Sequence, residues 1–184
     1  MIIAIIVVAA LIVLCVLWYI ATYNSLVKLR TQCEEAFSTM DVYLKKRFDL
    51  IPNLVSTVKG YAKHEAETLE KVIAARNSGA TQTQEQRMED ENQISGALRQ
   101  IFALSESYPD LKANQNFLDL QEQLKKIEED IANSRKYYNG SVKAFNIKCE
   151  TIPSSFVAKR AGFEKKPMYE VNDQVERENV KVEF

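Results

Sequence analysis

The chain is poor in the residues that punctuate, cross-link or ligate. Its 184 residues include five glycines, four prolines, three cysteines and a single histidine. So little glycine leaves no Gly-rich loop to cradle a phosphate, and so little glycine and proline together calls for long helices. Cys15 lies in an apolar run, and Cys33 and Cys149 stand far apart, so the sequence encodes neither a disulfide framework nor a metal knuckle. His64-Glu65 has no second histidine four residues on, which excludes the H-E-x-x-H zinc helix. No serine or cysteine stands next to a base that would activate it. The net charge is −1, and no basic stripe with interleaved aromatics appears, so nucleic acid is not an expected partner. No cofactor, no metal and no catalytic residue is expected. The chain reads as a non-enzyme.

What it does have is one long apolar run. Met1 to Ala21 carries no charged side chain, and thirteen of the residues from Ile2 to Ala21 are Ile, Leu or Val. A helix of about 20 residues crosses the hydrocarbon core of a bilayer. These side chains favour insertion by roughly 4 to 8 kcal/mol. Trp18, Tyr19 and Tyr23 gather at the far end, where amphipathic rings prefer the headgroup level. A cleaved signal peptide would need a basic start, a shorter core and small residues at the cleavage site. None of these is present, so residues 1–22 read as a retained signal-anchor in a lipid bilayer. Lys28 and Arg30 follow the span, and the positive-inside rule then places the rest in the cytoplasm, N-terminus out.

The remaining residues, about 160, suffice for one ordinary domain. From Leu26 the apolar positions step through Leu29, Cys33, Phe37, Met40 and Leu44, one face of a helix. Asp49 reads as an N-cap, with Pro52 in the first turn of a second helix. That helix buries Ile51, Leu54, Val55, Val58, Tyr61, Leu69 and Val72, and ends near Asn77-Ser78-Gly79. Thr83 with Gln86 fits a capping box opening a third helix through Ile94, Leu98, Ile101 and Phe102. Pro109 opens a fourth, whose seam runs from Phe117 through Leu124, Ile131, Tyr138 and Phe145 to Cys149 and Ile152 before Pro153 stops it. The expected fold is all-α: a transmembrane helix, then an antiparallel four-helix bundle with long helices over residues 23–153. The alternative is a set of extended coiled coils that pair between chains. Residues 154–184 read as a tail, packed or mobile, with a strand-like Val180–Phe184.

The motifs also carry a resemblance. Tyr23-Asn24-Ser25-Leu26-Val27 after the anchor, Asp49-Leu50-Ile51-Pro52-Asn53-Leu54-Val55, Val58-Lys59-Gly60-Tyr61-Ala62 and His64-Glu65 are similar to the LemA family. So are Tyr108-Pro109-Asp110-Leu111-Lys112-Ala113, Tyr138-Asn139, Phe145-Asn146, Pro153-Ser154 and Gly162-Phe163. Phe37-Ser38 replaces the usual Trp-Ser, and Gly140 stands where a helix former is commoner. The resemblance implies a bacterial single-pass membrane protein of the cell (inner) membrane with a helical-bundle domain. It brings no particular biochemical activity with it.

Two candidate sites follow from helical spacing. Asn53, Thr57, Gly60, His64, Glu67 and Lys71 form a row facing away from the apolar stripe. It is either a solvated face or a docking face, on which Gly60 would admit a close partner helix. Glu65 instead falls within the apolar row, where a carboxylate needs a partner. In a hairpin about Phe48, Arg30 stands opposite Glu65, and the two are expected to form a structural ion pair. The last turns of the fourth helix either kink at Asn139-Gly140, meet the membrane through Tyr137, Tyr138, Lys143, Phe145 and Lys148, or pack on the first helix or the tail. These features fit a membrane-tethered scaffold or adaptor with a membrane or membrane-proximal protein partner. The alternative is a homo-oligomer that organises or remodels the bilayer.

Overall fold

One helical face explains the first element. The stripe Leu26, Leu29, Cys33, Phe37, Met40 and Leu44 continues in the same three-and-four rhythm through Arg47, Ile51, Leu54, Val58 and Ala62. The computed structural model describes residues 1–62, 65–77 and 84–169, and in it this stripe lies as far as Val58 along one helix, α1 (Ile2–Tyr61), with Ala62 just past its end. The expected hairpin about Phe48 is absent. Asp49 and Pro52 look like a helix start, but the stripe passes them without a phase break. Pro52 sits inside α1 on an exposed position. An interior proline costs about 3 kcal/mol. Full burial of Ile51, Leu54 and Val58, each contributing about 1.5–3 kcal/mol, outweighs it.

The chain continues through α2 (Ala66–Asn77), α3 (Gln84–Ser105), α4 (Pro109–Lys112), α5 (Gln115–Glu150) and α6 (Ser154–Arg160), with no strand among the described residues. The expected count of four bundle helices therefore changes in two places. The first two helices are one up to Tyr61. The fourth is divided at Asn114, whose Oδ1 accepts the Phe117 amide at 3.0 Å and restarts the helix as an N-cap. No break occurs at Asn139-Gly140. The capping pair Thr83 and Gln86, the Ser78-Gly79 stop and the strand-like Val180–Phe184 lie outside the described residues or side chains.

The chain divides into two compact units. In the second, Asp41–Asn133 with Tyr169, α1 contributes Ile51, Leu54 and Val58 to a core with Leu69 and Val72 of α2 and Ile94, Leu98 and Ile101 of α3. Leu111, Phe117 and Leu124 complete it. Tyr61, expected inside, is 43% exposed, and the small Ala62 takes the buried position.

The first unit, Met1–Met40 with Ser134–Met168, begins as bare helix: residues 1–21 are all exposed, and Thr22 and Leu26 are the first buried positions. Tyr138 and Phe145 of α5 are buried, Tyr138 edge-on to Phe37 at 5.7 Å and Phe145 edge-on to Phe163 at 6.2 Å. Packing on α1 and on the segment after α6, not membrane contact, is thus the role of these two rings. α6 ends in a Schellman motif. The Phe163 amide donates to Ala158 O at 3.0 Å and the Gly162 amide to Lys159 O at 3.3 Å, with Gly162 at φ +71. This left-handed residue turns Phe163 inward, where Tyr23 stands 5.8 Å away and the Arg30 guanidinium covers the ring at 5.4 Å.

Beyond Phe163 the chain is extended and docked. Asn146 accepts the Lys166 amide and donates to the Lys166 carbonyl, both at 2.9 Å, and Tyr138 donates to Pro167 O at 2.9 Å. Residues 163–168 of the expected tail are therefore a fixed part of this unit. Asn146→Ala removes both bonds and should lower stability by about 2 kcal/mol, at about 1 kcal/mol per bond. Hydrogen exchange would check it, through faster exchange at the Lys166 amide with α3 amides unchanged.

Candidate functional site

A buried polar cluster of the second unit was not anticipated from sequence. Arg47 occupies an inward position of α1, between Leu44 and Ile51, and its side chain is fully buried. Its guanidinium pairs with Glu91 of α3 and Glu128 of α5. It also donates to Ser95 Oγ at 2.6 Å and to the Glu91 carbonyl at 3.1 Å. Ser95 in turn lies 3.2 Å from Glu128 Oε2. One cation thus joins three helices of the second unit. The signal for it was in the sequence: Arg47 falls in phase with the apolar stripe, where a charge must be paired.

Chemically the cluster is a brace. The guanidinium offers only donors, and the carboxylates facing it are engaged as acceptors. Arg47→Leu would leave Glu91 and Glu128 facing each other without a cation, an expected loss of about 3 kcal/mol, at the lower end for a buried pair because Glu128 is partly exposed. Urea titration of the full-length protein in detergent micelles, followed by circular dichroism, measures this. Glu91→Gln should cost more than Glu128→Gln, since the side chains are 17% and 33% exposed respectively.

The expected Arg30–Glu65 pair is not formed. The two residues lie on and just beyond one uninterrupted helix, so no hairpin brings them opposite each other. Arg30 covers Phe163 and lies 3.9 Å from Glu34. Glu65 accepts the Tyr108 hydroxyl at 3.1 Å. That bond raises the Tyr108 phenol above its ordinary value. A phenol raised on folding stabilises below about pH 10 and loses its contribution as pH rises through the folded value. Tyr108→Phe should therefore flatten the alkaline fall of the melting temperature relative to wild type. Lys165, raised by its bond to Glu150, titrates in both proteins and cancels in the comparison.

The expected docking row is divided. Asn53, Thr57 and Gly60 lie near the end of α1, Glu67 and Lys71 lie on α2, and His64 falls outside the described residues. Thr57 donates to the Asn53 carbonyl at 2.9 Å. Glu67 and Lys71 pair at 2.8 Å on an exposed surface, and this hydrogen bond holds the Glu67 carboxyl below its ordinary value. Gly60 is exposed, and a Cβ there would meet nothing within 4 Å. Cys33 and Cys149 are free and buried, and burial pushes both thiols up. No group of three or more His, Cys, Asp and Glu side chains converges as metal ligands among the described residues.

An all-helical chain whose first helix is long and apolar enough to cross a membrane is the class these features define. The LemA family model matches residues 36–184. The chain belongs to the LemA family. It is 27% identical over 147 residues, 77% of its length, to a relative from Metamycoplasma hominis named Protein LemA. It spans 66% of that relative's length.

Proposed function

We propose that this protein is a non-enzymatic scaffold or adaptor, held in the bacterial cell membrane by Ile2–Ala21, which presents its helical part to a membrane or membrane-proximal protein. The reading is carried by one observation: α1 runs without interruption from the bare apolar stretch into the packed helices. A protein bound by those helices is thereby kept at the bilayer. The positions of this row that the fold leaves uncovered, Asn53, Gly60, Glu67 and Lys71, are the proposed docking surface.

The orientation proposed is N-terminus out, with the helical units in the cytoplasm. Its support is two basic residues of the first unit. These are Lys28 and Arg30, which follow the span within its next turns.

A photo-crosslinking residue at Gly60, and separately at Lys71, in the full-length protein in native membranes tests the adaptor. The expected result is one and the same membrane protein captured at both positions, and lost on Asn53→Arg. Self-adducts alone would replace the adaptor with a self-assembling, bilayer-organising protein. Absence of adducts at both positions would overturn the docking surface.

A further inference from the structure

The junction of α5 and α6 leaves large apolar side chains uncovered. Ile152, expected to close the seam of the fourth helix, is 75% exposed, and Phe156 on α6 is 68% exposed, while their neighbours Val157 and Ala158 are buried. The junction also lies beside α1. Ile152, Lys148, Thr151 and Ser154 share the lining of one groove of about 400 Å³ with Trp18 and Thr22.

That neighbourhood sets a depth. α1 is bare through Ala21 and first buried at Thr22. Twenty helical residues extend about 30 Å, the thickness of a hydrocarbon core. With Ile2–Ala21 spanning it, Trp18 lies at the headgroup level, where such rings settle. The groove runs along α1 from Trp18 as far as Leu29, so Ile152, on its wall, lies between that level and about 16 Å beyond it. The charges agree with this placement. Lys159 and Arg160 stand three and four residues after Phe156, on the same side of α6, and both are exposed. Glu150, the acidic residue of the junction, is already paired with Lys165 at 2.8 Å.

We infer that the α5–α6 junction is a second membrane contact: Ile152 and Phe156 enter the interfacial layer of the leaflet next to the anchor, and Lys148, Lys159 and Arg160 meet anionic headgroups. This rests on the reading of Ile2–Ala21 as membrane-spanning. Amphipathic surfaces of this kind bind by buried apolar area together with attraction to anionic lipid. The occupant is the bilayer itself, because the junction continues the bare apolar surface of α1.

The test uses the full-length protein in vesicles of phosphatidylcholine and phosphatidylglycerol, labelled singly with an environment-sensitive fluorophore. The labels sit at L11C, I152C, F156C and Y137C on a C15A background, with Cys33 and Cys149 buried and protected. Lipids carrying nitroxides at shallow or deep acyl positions report the depth of each label. The L11C label should be quenched by deep nitroxides, I152C and F156C by shallow ones, and Y137C by neither. Labels at 152 and 156 as water-exposed as that at 137, with 11 still quenched, would overturn the second contact and leave the anchor standing. An unquenched L11C label would overturn the anchor, and the second contact with it. In the Lys148→Gln, Lys159→Gln, Arg160→Gln triple variant, the I152C and F156C labels should lose part of their shallow quenching. Unchanged quenching would overturn the headgroup contact.

Discussion

α1 buries a stripe that advances by three or four residues from Leu26 to Val58; its early part serves the core of the first unit and its later part that of the second. Those steps average the period of a straight α-helix, so the stripe neither drifts off the face nor demands a supercoil. In the first unit Tyr138 meets Phe37 of the stripe, Phe163 meets Tyr23 and Arg30 of α1, and Phe145 packs on Phe163. The second gathers α2, α3 and α5 around the later part. Had the phase slipped at Asp49–Pro52, the second unit would have lost Ile51, Leu54 and Val58 together.

Arg47 is the one charge on that inward face, and it changes how the second unit is held. A leucine there would pack with any apolar neighbour, whereas a buried guanidinium accepts only an arrangement that brings acceptors to it. Glu91, Ser95 and Glu128 come from two different helices, so the bonds to the two terminal guanidinium nitrogens of Arg47 tie the rotation of α3 and α5 to α1. Apolar packing supplies most of the driving force, and the arginine selects among packings.

The all-α class was legible because the signals are long. A charge-free run of about 20 residues and stripes sustained over many turns leave little room for another reading. Most of the seam Phe117, Leu124, Ile131, Tyr138, Phe145 and Cys149 is buried as its spacing requires. The errors came from local cues that longer-range order overrode. Asp49 and Pro52 mark a helix start only if the stripe restarts there, and it does not. Asn114 was missed as a cap because the apolar spacing carries on across it. The Arg30–Glu65 pairing failed with the hairpin it assumed. Arg47 carries a charge that speaks for the outside and a phase that puts it inside, and the phase prevails. Docking of residues 163–168 hangs on hydrogen bonds to main-chain atoms, which leave no mark in composition.

That last point has a consequence for how the sequence is free to change. Asn146 holds the backbone of Lys166, and Tyr138 holds the carbonyl of Pro167, so neither depends on which side chain the held residue carries. The Lys166 ammonium reaches only an exposed carboxylate, Glu34, at 3.4 Å. Residues 164 and 166 can therefore drift in chemistry and charge while the path of the chain stays where it is, whereas Lys165 is matched to Glu150. The segment offers a position at which surface properties are adjustable without refolding the unit beneath, with the constraint carried by Asn146, Tyr138, Gly162 and Phe163 instead.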